Sequence, residues 1–232
     1  MRVLTNANDF ISQLASKLGR STPTNSPPPI DFHVPQYRLS NPGERSTIFL
    51  HNWQELGGKG VIVKTEDQTV SCLKEWFGDL PLSWLKDNPQ AILAWDSLPT
   101  LAETAFSTLN WPVAQYTMAA PDPRERYSIA AQAELGITGA DWGIALSGTI
   151  VTNSGPQRGR AVSLLPPRHL AFIEASKLRD NLSEVLEEVS ALGCPPSAIE
   201  MISGPSRTSD IEMDLSIGVH GPIEVYVIVI DT

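Results

Sequence analysis

Cysteine is scarce: the chain has 232 residues and only two cysteines, Cys72 and Cys194, far apart and in no CxxC pair. That excludes a disulfide framework and argues against a cysteine-held zinc or iron–sulfur centre in this chain. Histidine is also sparse. His33, His51, His169 and His220 show no HxxxH or HxH spacing, so no sequence-local metal site is expected. Positive charge is in deficit, with a formal net charge of −9 and a pI near 4.9. A general nucleic-acid binder needs a basic footprint to neutralise phosphates, so that class is disfavoured. No apolar run approaches the length that spans a bilayer, and the N-terminus lacks the apolar core of a secretory signal. The expectation is a soluble cytoplasmic protein. Neither a GxGxxG fingerprint nor a Walker loop occurs, so no Rossmann dinucleotide site is predicted.

What is present is a core. Apolar residues make up 41% of the chain, too many for a disordered protein. Asn8 to Leu18 carries Phe10, Ile11, Leu14, Ala15 and Leu18 at helical spacing, with Gly19 as a stop. Ser21 to Pro29 is rich in Ser, Thr and Pro and reads as an extended linker. The organisation predicted is an N-terminal helix in residues 1–20, a Pro-rich linker over 21–40 and a domain over 41–232. The tethered helix docks either on a partner or on its own domain.

Within the domain, Asn41 to Leu56 and Glu66 to Phe77 read as helices. Gly60 to Lys64, Ala91 to Trp95 and Val113 to Met118 read as strands. Strands alternating with helices indicate βαβ units and a largely parallel sheet covered on both faces. Pro123 to Leu135 reads as a further helix with Pro123 in its first turn. Trp142 to Asn153, Ala161 to Leu165 and Leu170 to Ile173 follow as strand-like segments with short connections, which suggests antiparallel or mixed pairing. Leu178 to Leu192 is amphipathic, and Glu224 to Ile230 is a β-branched strand expected to be central and buried.

The stretch with the most chemistry runs from Ile199 to Pro222. Ile199 to Ile202 reads as a buried strand, Gly204 and Pro205 break the backbone, and Ser206, Arg207, Thr208 and Ser209 follow. Ser209 and Glu212 have capping-box spacing, so a helix is expected from Ser209 toward Ile217. A helix N-terminus beside an arginine suits an anion. Gly204, Ser206, Arg207, Thr208 and Ser209 are therefore the candidate anion-binding residues. Capping by the hydroxyls, and an ion pair of Arg207 with Asp210 or Asp214, are the structural alternatives. Asp141, after Gly139, is a candidate base or a turn-forming aspartate. His220, between glycines in Gly218-Val-His-Gly-Pro222, is the more natural base near neutral pH, or else a ring bonded to the turn backbone. Arg158 and Arg160 widen an anion site or form a solvated rim, and His169 is a weaker candidate for the same cleft.

Five ordered segments resemble the LUD domain family of lactate utilization proteins. They are Gly139-Ala-Asp141, Gly143-Ile-Ala-Leu-Ser-Gly-Thr149, Ser163-Leu-Leu-Pro166, Gly204-Pro-Ser-Arg-Thr-Ser-Asp-Ile-Glu212 and Gly218-Val-His-Gly-Pro222. The resemblance covers roughly Arg45 to Asp231. It implies an α/β fold of the NagB/RpiA/CoA-transferase-like type: three α/β/α layers, a mainly parallel central sheet and an antiparallel β-rich insertion. It also implies the non-iron–sulfur subunit of a system oxidising L-lactate to pyruvate, binding a small anion (lactate, pyruvate or a phosphate-bearing ligand). Iron–sulfur clusters are then expected in partner proteins, which agrees with the few cysteines here. Many relatives carry an acidic residue in the segment matching Ala145 to Gly148, where this chain has Leu146. Two other readings stay open: a stand-alone enzyme of the same fold group acting on a phosphorylated or CoA-linked substrate, and an assembly module without chemistry.

Overall fold

A computed structural model describes residues 7–19, 38–39, 41–194, 196–209, 215–217 and 220–232, with backbone only for 7–9, 42, 82, 208, 209 and 215–217. The chain divides into two compact units, residues 1–35 and 36–232. The first contains helix α1 (Ala7–Lys17), close to its expected bounds, with Phe10, Ile11 and Leu14 exposed. The Pro-rich stretch expected to be a linker lies outside the described residues.

The second unit opens with α2 (Arg45–Glu55) and β1 (Lys59–Val63). Then come α3 (Glu66–Phe77), α4 (Leu82–Asp87), β2 (Ile92–Ala94) and α5 (Thr100–Leu109). The two-residue strand β3 (Ala114–Gln115) leads straight into α6 (Tyr116–Ala119) and α7 (Pro123–Gln132). Next are β4 (Leu135–Gly139), β5 (Trp142–Ile144), β6 (Thr149–Asn153), α8 (Ala161–Leu164) and β7 (Arg168–Glu174). The chain ends with β8 (Leu178–Arg179), α9 (Leu182–Ser190), β9 (Ile199–Ile202), β10 (Arg207–Ser209), β11 (Leu215–Ile217) and β12 (Glu224–Ile230).

Six strands form a parallel sheet in the order β1-β12-β7-β4-β2-β3. A mixed sheet, β8-β5-β6-β9, supplies the expected β-rich insertion. The sequence of β12 explains its central place. Side chains alternate faces along a strand, and nearly every residue from Val225 to Ile230 is apolar. Tyr226, Ile228 and Ile230 enter the core under α3 and α5 with Leu73, Phe77 and Phe106. Val225, Val227 and Val229 enter a second core with Phe49 and Trp53 of α2 and with Ile150 of the mixed sheet. Burial on both faces is the signature of a parallel sheet between layers. Truncating a side chain such as Ile228 to alanine should cost about 2–5 kcal/mol.

Helix starts follow local chemistry. The Thr65 hydroxyl accepts from the Gln68 N–H ahead of α3, Asp122 accepts from Arg124 N–H with Pro123 at the first turn of α7, and Asn181 accepts from Glu184 N–H ahead of α9. Asp180, almost fully buried, accepts from Arg45 Nε at 2.6 Å and from the Leu39 N–H at 3.1 Å, which ties the approach to α2 onto the body.

Four expectations are corrected. Ala161–Leu164 is a helix rather than a strand, seated so closely that a Cβ at Gly136 would fall 1.8 Å from the Val162 carbonyl oxygen. The helix expected to reach Leu135 stops at Gln132, and Leu135–Gly139 is a central strand; its two glycines hide the β pattern, and one of them is what α8 needs. Val113 to Met118 forms only a two-residue strand before α6 begins. Arg207–Ser209 and Leu215–Ile217 are an antiparallel pair, with Arg207 opposite Ile217 and Ser209 opposite Leu215. The Ser209 helix start is therefore absent, and Glu212 lies outside the described residues.

Candidate functional site

All six strands of the parallel sheet point the same way, so their carboxyl ends share one edge. The connection leaving β2 runs outward to β3, and the one leaving β4 leads the other way to β7. Neighbouring strands that send their connections to opposite sides leave a crevice at their carboxyl ends, where ligands bind in open α/β sheets. Trp95 and Asp96 follow β2, and Ala140 and Asp141 follow β4.

Asp141 is fixed by several bonds. Its N–H donates to the Val151 carbonyl at 2.9 Å. Its carboxylate accepts from the Asn153 N–H at 2.8 Å and from Arg158 Nη1 at 2.9 and 3.2 Å. The Arg158 guanidinium stands over the Trp95 ring, 4.7 Å from its centroid. Trp95 Nε1 donates to the Gly159 carbonyl at 3.1 Å. Gly155 and Arg158 exchange backbone bonds across a tight turn. A Cβ at Gly159 would fall 2.2 Å from Tyr116 Cζ, so only glycine lets this loop close on the sheet edge. Residues 154–160 thus form a fixed rim holding one arginine between a carboxylate and an indole. Asn153 Oδ1, on the same rim, is buried without a partner.

One strand residue away lies a group that the sequence reading passed over. Glu200 pairs across strands with Thr152 on the side of the mixed sheet that faces the parallel sheet. Its Oε2 accepts from the Ser163 hydroxyl at 3.0 Å and the Thr152 hydroxyl at 3.4 Å. Burial pushes its carboxyl above the ordinary glutamate range; the Ser163 bond, the Arg160 charge and the Thr152 bond oppose this without cancelling it. A carboxylate interrupting the apolar run Ile199 to Ile202 was the available signal.

Most of the predicted anion-binding residues and His220 lie at the other end of the sheet. Ser206 N–H donates to the Pro222 carbonyl at 3.0 Å, just before β12 begins. Gly204 has φ of +86°, and a Cβ there would meet the Leu56 carbonyl oxygen at 2.7 Å. Arg207 Nη2 lies only 2.2 Å from where a Gly57 side chain would start, immediately beyond α2. A cation there complements the carbonyls at a helix C-terminus. Arg207 is exposed and makes no ion pair among the described residues. Its alternative partners Asp210 and Asp214 lie outside those residues, as do the side chains of Thr208 and Ser209. His220 is exposed.

Counting strand residues from Glu224 to Ile230 at about 3.3 Å each puts roughly 20 Å between this end and Asp141. His220 and Asp141 therefore cannot act on one bond. Arg158 and Arg160 belong with Asp141 and Glu200, not with Arg207. His169 does not line a cleft. It is fully buried in β7, its Nε2 lies 2.9 Å from the Thr138 hydroxyl, and burial lowers its pKa to about 4. The amino end also carries a ladder of ion pairs, with Arg168 on Asp79 at 2.6 Å and Lys59 on Glu224 at 2.8 Å. Leu146 is 42% exposed, in the short turn between β5 and β6. No group of three or more His, Cys, Asp or Glu is placed to hold a metal among the described residues, and none of their helices is long and apolar enough to cross a membrane.

The family model of the LUD domain matches residues 47–230. The chain belongs to the LUD domain family. Over 239 aligned residues it is 32% identical to lactate utilization protein C of Exiguobacterium sp., covering 98% of this chain and 97% of that protein. Lactate utilization protein C of Bacillus subtilis is 29% identical, with 98% of each chain covered. A crystal structure of a DUF162 family protein from Deinococcus radiodurans shares the fold, with a TM-score of 0.57 and 19% identity over 83% of this chain and 99% of that one.

Proposed function

We propose that this chain is the non-iron–sulfur subunit of an L-lactate utilization system, and that it holds a small carboxylate on Arg158 at the carboxyl end of the parallel sheet. The relatives' shared name supports lactate as the metabolite. One observation carries the site: Asp141 engages Arg158 through Nη1 alone, and among the described residues nothing bonds to Nε or Nη2. That free edge is the fork that binds a carboxylate bidentately. The Trp95 ring beneath adds a cation–π contact to the guanidinium.

Oxidation of L-lactate to pyruvate releases two electrons and two protons. The electrons would pass to iron–sulfur clusters in the partner proteins, which would supply that redox chemistry. On this chain Glu200 is the proton-holding group, because burial raises its pKa above the ordinary glutamate range. His220, at the far end of the sheet, would serve only a separate site. The test is lactate-dependent dye reduction by the reconstituted iron–sulfur partners, with and without this chain. Activity should require the chain, return with Arg207→Ala and stay lost with Arg158→Ala. Full activity without the chain removes the subunit role, and full rescue by Arg158→Ala removes the site.

A further inference from the structure

Beside this site is a cleft of different chemistry. It has a volume of about 380 Å³ and opens at the carboxyl ends of β2 and β3, against α5. That volume falls in the range of small-molecule sites. Its walls include three aromatic rings, Trp95, Phe106 and Trp111, with two carboxylates, Asp96 and Glu103, and the amide of Gln115. No lysine or arginine lines it.

The fold holds these groups in place. Trp95 is fully buried and bonded to Gly159. Phe106 and Trp111 stand 6.2 Å apart between centroids and pack as one unit. Asp96 accepts from the N–H and the hydroxyl of Thr117, which fixes its carboxylate without neutralising it. Glu103 is exposed, and among the described residues its carboxylate accepts only a long bond, 3.4 Å, from the Leu98 N–H.

We infer that this cleft binds a compact organic cation, an alkylammonium or guanidinium group held between the half-buried Trp111 ring and the carboxylates of Asp96 and Glu103. The charge balance excludes the alternative of a second anion site. Two carboxylates with no facing base repel a carboxylate or phosphate and attract a cation. Indole faces favour such a cation further once it is partly desolvated. Trp95 is enclosed and holds the Arg158 guanidinium, which Asp141 pairs, so the indole offered to a ligand is that of Trp111. This site stands independently of the Arg158 proposal. Its ligand carries the opposite charge, and its lining shares only Trp95 with it.

The experiment is a titration of the full chain with agmatine at low ionic strength, read by tryptophan fluorescence and calorimetry. Saturable binding is expected, weakened about tenfold by Glu103→Gln and by Trp111→Leu, and weakened by salt. Glu103 lies on the surface of α5, so its variant keeps the fold. Adenosine and glucose are the neutral controls. Agmatine binding unaltered in both variants overturns the assignment, as does its absence at millimolar concentration. Adenosine binding that survives Glu103→Gln would mark the cleft as a neutral ring site and overturn the charge argument.

Discussion

Asp141 grips Arg158 by one nitrogen: Nη1 lies 2.9 Å from Oδ1 and 3.2 Å from Oδ2, and the other edge of the guanidinium is open. The pair is partly exposed, with side-chain exposures of 34% for Arg158 and 19% for Asp141. Its contribution to folding is therefore below about 1 kcal/mol. Its contribution to an anion should be larger, since charge-assisted bonds to a bound carboxylate are worth about 1.5–3 kcal/mol. Arg158→Ala should weaken pyruvate binding roughly tenfold to a hundredfold by calorimetry while leaving the thermal midpoint within a few degrees. Equal losses in binding and stability would mean that Arg158 is a structural ion pair and no more.

Gly159 tests the same rim without touching a charge. A methyl group there would strike the Tyr116 ring and push back the carbonyl that receives Trp95 Nε1. Gly159→Ala should therefore weaken pyruvate binding and raise the loop's amide exchange, with a stability loss of about 1–3 kcal/mol from overpacking. Unchanged affinity in a folded variant would show that the rim does not position Arg158.

The sheet was legible where the residue pattern is unambiguous. The β-branched run of β12 announced a central strand, and Glu66 to Phe77 announced α3 to the residue. Legibility failed where close approach replaces side-chain pattern. In β4, Gly136 exists for the helix pressed against it, so the strand looks like a turn. The segment after Gly204 failed for another reason. Ser209 and Glu212 fit a capping box, but Arg207, Thr208 and Ser209 also fit a strand opposite Leu215, Ser216 and Ile217, and pairing decided it. The site misled because Asp141 and His220 are both plausible bases in sequence, and only the strand direction shows that they sit at opposite ends. The Arg158 contact to Asp141 spans 17 residues and has no local signature.

Glu200 gives a prediction of opposite sign to that of an ordinary surface carboxylate. Burial raises its pKa in the folded protein, so the folded state prefers its protonated form. Its stabilising effect is present below the unfolded glutamate pKa and is lost as pH rises through the folded value. Glu200→Gln keeps the shape and the acceptor oxygen for Ser163 and Thr152 without the charge. It should raise the thermal midpoint at pH 8 and change it little near pH 4, while lowering lactate-dependent activity. Destabilisation at pH 8 would mean that the ionised carboxylate is a favourable partner of Arg160.

His169 makes the sharpest pH prediction. Its ring is wholly enclosed in β7, with Nε2 2.9 Å from the Thr138 hydroxyl and Nδ1 without a partner. Burial holds its pKa at about 4, against 6.5 for a free histidine. The folded state therefore resists a proton that the unfolded chain accepts, so stability is fully present above about pH 6.5 and falls between there and about pH 4. The difference corresponds to about 3 kcal/mol. Carboxylates titrate in part of the same window, so the wild-type curve alone does not isolate the ring. His169→Gln does, since it leaves a hydrogen-bonding group for Thr138 and removes the titration. Urea midpoints from pH 7.5 to pH 4.5 should drop more steeply for the wild type than for His169→Gln. Parallel curves would show that His169 accepts its proton in the folded state, through a water or a local opening at Nδ1.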